Sequence, residues 1–387
     1  MKAAIIGMGA RASAYVQLIR QDPFKKLDLA AICDLIPAKM DGYINQFMPD
    51  APAAQLPARV TDYRKILEDP AIELVFITTN DLTHKEIAVD CLRAGKHILL
   101  EKPLATTLAD CQAIYDESRH ADRIVKLGFC LRYTSFYEKM LEIVRSGLLG
   151  KIICIEAKET LSSRHGASFM RRWHRFKNNN GGFLNAKCSH DLDMLNRLSG
   201  SDPQLVSAFG GRAFFNPIEG ASDRCESCRL AESCPYYLDK NTIPANSPEE
   251  AICPFNADKD IVDHETVLIQ YKNGIHVSFC VTMLSAEATR TTVIFGSEAT
   301  LTGDFASGLI HVRFLHAGGV HTYDLKQASD GHGGGDESLY RALLQAIHAG
   351  EKVNDARDGL MSTAIALAAE RSMESATVVD LDQCLQL

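Results

Sequence analysis

"KAAIIGMGARASAYVQLIRQ", Lys2 to Gln21, runs from a short apolar segment through two glycines into a helical pattern. Ala3 to Ile6 read as a strand. Gly7, Gly9 and Ala12 follow with the spacing G-x-G-x-x-A, and Tyr15, Leu18 and Ile19 then recur at helical spacing. Each small residue has a physical task. Gly7 permits a tight turn and Gly9 lets the backbone come close to a ligand. Ala12 lets the helix pack against the strand, and the helix N-terminus offers N–H groups and a positive dipole end. Ala10 and Arg11 complete the loop. A glycine motif alone is weak, but here a strand precedes it and a helix follows, as a dinucleotide pyrophosphate requires.

The next segments extend the pattern. "LDLAAICD" reads as a second strand ending in Asp34. A carboxylate there accepts hydrogen bonds from ribose hydroxyls and repels a 2′-phosphate, which favours NAD over NADP. "IELVFITT" is a strand, and "DLTHKEIAVDCLRAG" a helix capped by Asp81 or Thr83 and closed by Gly95. "HILLEKP", "TTLADCQAIYDESRHA" and "IVKLGFCLRY" add strand, helix and strand. Such βα alternation predicts a parallel, doubly wound sheet, with ligands at the carboxyl ends of its strands. Thr78-Thr79-Asn80 and Glu101-Lys102-Pro103 lie at two such ends. A lysine fixed by proline at a strand end is poor surface design and suits an ammonium aimed at a ligand.

Length and composition bound the alternatives. The chain has 387 residues, enough for roughly two domains of about 150 residues. It is 46% hydrophobic and 23% charged, an ordinary globular composition. A net charge of -8 argues against a nucleic-acid surface, which carries a basic patch. No apolar run approaches the roughly 18 residues of a membrane span. The N-terminal segment lacks a small-residue cleavage site and flows into the glycine turn, so a cytoplasmic protein is expected. Twelve cysteines are present. Eight are scattered and read as reduced structural thiols. Cys225, Cys228, Cys234 and Cys253 cluster as C-x2-C-x5-C-x18-C. That spacing suits a structural zinc site, with an iron–sulphur cluster or unmetallated thiols as alternatives.

The chain resembles the Gfo/Idh/MocA oxidoreductases, the glucose-fructose oxidoreductase and inositol dehydrogenase group. The resemblance rests on "GMGARA", "TTNDLTH", "EKPLA", "GFCLRY" (Gly128–Tyr133) and "GGFLNAKCSHDLD" (Gly181–Asp193). It implies a Rossmann domain, placed at 1–125, and an α/β domain with a large open, mostly antiparallel sheet, placed at 126–387 with the cysteine-rich insert at 223–256. It also implies NAD or NADP, a sugar, sugar derivative or inositol as substrate, and a homodimer or homotetramer packed through the sheet. The residues agree for the second domain. "KIICIEAKE", "HETVLIQYKNGIHVSFCVT", "RTTVIFGSEATLTGD", "LIHVRFLHAG" and "VHTYDL" are β-rich, with turns at Asn273-Gly274 and Gly318-Gly319.

The family pattern has aspartate four residues before His190, where this chain has Ala186, and usually glycine at Cys188. Lys187 stands beside the gap, so proton handling falls to His190 or Lys187. The expected reaction is hydride transfer from a ring CH–OH to nicotinamide. His190, with an ordinary pKa near about 6.5, takes the hydroxyl proton, and Lys102 stabilises the oxygen. By family analogy Thr78, Thr79, Asn80, His84 and Glu101 join the glycine loop around the cofactor. Arg132, Trp173 and His332 are candidates for the substrate, with an interdomain salt bridge as the alternative for Arg132. Asp336 is expected to cap the helix after the glycine-rich "GHGGGDES". Two other readings compete: an NAD-assisted glycosidase that borrows and returns hydride, and a non-catalytic cofactor-binding regulator.

Overall fold

The computed structural model describes residues 1–22, 26–239, 241, 251–316, 318–325 and 332–385. The chain divides into two units: residues 1–133 with 334–360, and residues 134–333 with 361–387.

The first unit is built on strands whose both faces are covered. β1 (Lys2–Ile6), β2 (Asp28–Cys33), β3 (Ala58–Val60), β4 (Ile72–Ile77), β5 (His97–Leu100) and β6 (Val125–Leu127) form a six-stranded sheet in the order β3-β2-β1-β4-β5-β6. All neighbours are parallel. In β4, Leu74 to Ile77 are completely buried, the continuous apolar run that a parallel strand between helices demands. The helices are α1 (Ala12–Gln21), α2 (Pro37–Phe47), α3 (Arg64–Leu67), α4 (His84–Arg93) and α5 (Leu108–His120). The strand order reverses between β1 and β4, which creates the crevice where such sheets bind ligands.

In the second unit, α6 (Ser135–Arg145), β7 (Ile152–Ser162), α7 (Ser163–Arg171), α8 (Lys177–Asn180) and α9 (Phe183–Ser199) precede a run of strands. These are β8 (Pro203–Gly211), β9 (His264–Tyr271), β10 (His276–Ser285), β11 (Thr289–Gly296), β12 (Ala299–Asp304), β13 (Leu309–Phe314) and β14 (Val320–Asp324). With β15 (Val379–Asp380) they make a nine-stranded sheet ordered β14-β13-β12-β11-β7-β10-β9-β8-β15. Every pairing is antiparallel except β7 with β10. The expected Asn273-Gly274 turn joins β9 to β10, with Gly274 at φ 86°. β9 alternates buried and exposed residues, as a sheet covered on one face requires.

The C-terminal region corrects the domain boundary. α10 (Gly335–Ala349) belongs to the first unit, where Leu339, Tyr340 and Leu343 share one core with Ala12, Tyr15 and Val16 of α1. The first unit also extends to Tyr133 instead of ending at residue 125, because the turn at Cys130–Tyr133 packs into that same core. α11 (Ala356–Ser375) crosses the division after Leu360. No described helix is long and apolar enough to cross a membrane.

Candidate active site

In the first unit the glycine loop has the shape its sequence demands. Gly7 has φ 94°, and a Cβ there would sit 2.7 Å from the Thr78 carbonyl carbon. Only glycine fits this turn. At Gly9 a Cβ would meet nothing within 4 Å, so the backbone faces open space. Thr78 ties β4 to the loop, its hydroxyl donating to the Gly7 carbonyl at 2.6 Å. Asp34 lies at the end of β2 and accepts from the Met8 N–H and the Ile36 N–H, both at 2.9 Å. Each carboxylate oxygen keeps further lone pairs for ribose hydroxyls. α1 has no acidic residue in its first turn, so its positive end stays available to a phosphate. These features fit a dinucleotide, held by the 7–12 loop and Asp34.

Glu101 answers a different need from the one expected of it. It is buried and accepts from Arg11 Nε and from the Tyr15 hydroxyl, each at 2.5 Å. The Arg11 guanidinium also pairs with Asp336. Burial alone would lower the Arg11 pKa, but Glu101, Tyr15 and Asp336 outweigh it and raise it. Arg11 and Glu101 therefore brace the loop against β5 and α10, and neither points a spare charge at a cofactor. Asp336 is likewise not the N-cap of α10. Gly334, at φ 83°, holds that position, and Asp336 sits in the first turn facing Arg11. Gly128 is obligatory behind this cluster, since a Cβ would lie 2.7 Å from a Glu101 oxygen.

Lys102 follows directly, partly exposed at the end of β5. It acts electrostatically on Asp81. Burial pushes Asp81 up to about 8, with Lys102 acting to lower it and Glu101 to raise it. Of the two caps expected for α4, Thr83 holds the N-cap position, without a side-chain capping bond, and Asp81 lies buried in the short 3-10 turn before the helix. Its place after the β4 terminus was the available signal. His84 is fully buried. Its Nδ1 meets the Pro103 carbonyl at 2.8 Å and its Nε2 the Thr79 carbonyl at 3.3 Å. Burial lowers its pKa. A neutral ring has one N–H, and the shorter contact takes it. His84 thus ties the Lys102-Pro103 segment to the turn after β4. Thr79 and Asn80 occupy the turn between β4 and α4. Arg132 bonds Asp355 at 3.1 Å and Asp358 at 2.8 Å, all in the first unit. Its guanidinium is taken up by structure, and the alternative of a bridge between domains is replaced by one within a unit.

In the second unit α9 carries the other candidates. It begins after Gly181 and Gly182, at φ 75° and 100°. A side chain on Gly182 would strike Glu370, 2.3 Å from a Cβ. Lys187 and Asp191 are one turn apart on α9 and both meet charges on the sheet. Glu159 of β7 stands at an inward position between buried Ile155 and Leu161, directly opposite Arg290 of β11. Lys187 Nζ lies 2.5 Å and Arg290 Nη2 2.6 Å from the same Glu159 oxygen, while Arg290 Nε bonds Asp191 at 2.8 Å. Burial alone would raise Glu159, but Arg290 and Lys187 hold it near about 2. Burial and the Glu159 charge push Asp191 up to about 7 against the pull of Arg290. The Cys188 thiol points at Glu159 as well, at 3.4 Å. This network pins α9 to the sheet. His190 is buried on the same helix, its ring 5.9 Å from that of His332. Sequence reasoning named His190 and His332 separately as candidates, and the fold sets their rings near each other; it did not single out Glu159, Arg290 or Asp191. Charged residues at inward strand parity were the signal. Trp173 stacks on neighbouring His174, with ring centroids 3.7 Å apart.

A nucleotide-binding βαβ unit followed by an α/β domain matches two family models in succession. Residues 1–129 match the oxidoreductase family NAD-binding Rossmann fold and residues 142–381 its C-terminal alpha/beta domain. The chain belongs to the Gfo/Idh/MocA oxidoreductase family. The Bacillus subtilis (strain 168) protein YteT is 24% identical over 308 residues, 70% of this chain and 72% of that protein. The myo-inositol 2-dehydrogenase of Thermotoga maritima is 30% identical over 162 residues, 42% of this chain and 46% of that enzyme. The chain thus matches less than half the length of that inositol dehydrogenase. A levoglucosan dehydrogenase solved with NADH and levoglucosan superimposes with TM-score 0.78 at 20% identity, covering 98% of this chain and 99% of that one. That likeness is one of fold.

Proposed function

We propose that this family member is an NAD-dependent dehydrogenase that takes hydride from a ring CH–OH of a cyclitol or sugar. The observation that carries the reading is the loop at Gly7 and Gly9 with Asp34 beside it, a site built for a nicotinamide dinucleotide. The match to inositol dehydrogenases supports the substrate class. When bound, the cofactor supplies the hydride acceptor. In this reading Lys102 donates a hydrogen bond to the reacting oxygen and His190 accepts its proton. Lys187, held by Glu159, positions α9 and does not carry the proton. Trp173 and His332 remain the candidates for recognising the ring. The test is NADH formation by the purified chain across inositols, aldoses and sugar acids, with NAD and NADP compared. A cyclitol or sugar oxidised with NAD meets the expectation. Silence across the panel while NAD binds would overturn the dehydrogenase reading.

Asp34 carries the cofactor preference. Asp34→Ala is expected to weaken NAD about tenfold or more while leaving NADP little changed, because a lost charge-assisted hydrogen bond is worth roughly 1.5–3 kcal/mol. Titration of each cofactor by fluorescence measures it. The outward face of the second sheet supports self-association. Phe209 of β8 and Leu268 of β9 are 75% and 52% exposed on neighbouring strands, and a second copy would cover them.

A further inference from the structure

The dehydrogenase reading makes no use of the cysteine-rich insert, which lies in the second unit. Its residues 240 and 242–250 fall outside the described residues. The insert as described has little regular structure: a 3-10 turn at Cys225–Ser227 and an isolated bridge between Arg224 and Ile252. A segment of this length without strands or helices needs something else to hold it. One side is held by an aromatic cluster, with the rings of Phe214, Phe215, Tyr236 and Phe255 all within 6.1 Å centroid to centroid. The other side is where the sulphurs are. Cys225, Cys228, Cys234 and Cys253 line a single cavity walled by Tyr236 and Phe255, and none is in a disulfide.

The backbone gathers them. The Cys228 N–H donates to the Cys225 carbonyl at 3.1 Å, which turns the C-x2-C pair to one side. A further turn, Cys234 N–H to the Leu230 carbonyl at 2.9 Å, brings round the third cysteine. The Cys253 N–H donates to the Asp223 carbonyl at 2.7 Å and lays the second segment against the first. Cys225 and Cys253 are buried. Four thiols from two segments, with apolar walls and no other charged side chain lining the cavity, are a soft, closed donor set.

We infer that Cys225, Cys228, Cys234 and Cys253 bind one structural zinc ion as a tetrathiolate. Binding forms four Zn–S bonds, releases four thiol protons and changes no oxidation state. No three of the four sulphurs lie within 4.8 Å of one another. Binding therefore draws the sulphurs inward, toward Zn–S distances of about 2.3 Å. Four protein ligands leave no open position, so the ion orders the insert and takes no part in chemistry. Its anchor on the rest of the unit is Arg171 at the end of α7, which donates to the Tyr236 carbonyl. The inference stands independently of the dehydrogenase reading.

The test is elemental analysis and native mass spectrometry of the whole purified chain, with cobalt(II) exchanged into the same protein. The expected result is one zinc per chain, cobalt–thiolate charge-transfer bands of tetrahedral type, and loss of both in Cys225→Ser/Cys228→Ser. Zinc far below one per chain overturns the proposal, as do iron in its place, disulfides among the four cysteines, or zinc retained by the double variant. The unaltered chain alone decides the first three outcomes, so a folding defect in the variant leaves the proposal falsifiable.

Discussion

Lys102 and Glu101 are adjacent and do opposite work. Glu101 is a buried brace for Arg11 and Tyr15, whereas Lys102 is partly exposed at the end of β5. In the proposed reaction Lys102→Met lowers kcat about a hundredfold or more, the loss seen when one donor to a developing oxyanion is removed. NAD affinity stays within a few-fold. Initial rates of NADH formation and NAD titration, run on the same preparation, separate the two. Unchanged turnover would remove Lys102 from the mechanism. Glu101→Gln behaves differently. It leaves half-buried Arg11 with one carboxylate instead of two, and it lowers stability more than turnover per folded molecule. The glutamate-lysine-proline triplet was legible in sequence as a site. The division of labour inside it was not, because only the folded chain brings Arg11 and Tyr15 to Glu101.

At the scale of the element, α9 is fastened to β7 and β11 by Glu159, Arg290, Lys187 and Asp191. Glu159→Gln leaves the largely covered Arg290 and Lys187 with less opposing charge, and the expected cost is roughly 3–5 kcal/mol. Urea denaturation reads it directly. The pH dependence has two opposite parts. Glu159 is held near about 2, so its contribution is present above its ordinary value and lost as pH falls toward 2. Asp191 is raised to about 7 from 3.8. Its contribution is fullest below its ordinary value and lost as pH rises through 7. Asp191→Asn does not titrate. The stability of the natural chain relative to this variant should therefore fall as pH rises from 3.8 to 7 and then level off, and a flat difference would show that Asp191 titrates normally. Lys187 and Asp191 lie one turn apart on α9 and share a face. What that face meets depends on the register of β7 against β11, which no local pattern contains.

At the scale of the whole molecule, the first unit is assembled from residues 1–133 and 334–360. α10 supplies Leu339, Tyr340 and Leu343 to the core beside α1. A fragment of residues 1–133 would leave Val16 and Tyr15 without those partners, and it should not give a cooperative unfolding transition. The same fragment joined by a flexible linker to residues 334–360 should give one. Circular dichroism under thermal denaturation distinguishes them, and equal cooperativity in both would mean α10 is dispensable. By itself the sequence determined what depends on neighbours along the chain. That includes the strand–glycine–helix entry, the order of βα units, the Asn273-Gly274 hairpin and the C-x2-C pair, because periodicity and left-handed backbone positions are local properties. Tertiary structure alone decided which charges meet: Arg11 with Asp336, Arg132 with Asp355, and Lys187 with Glu159. It also decided that α10 returns to the first unit. A charge or an apolar face written in sequence states what must be satisfied, and only the folded chain brings the partner that satisfies it.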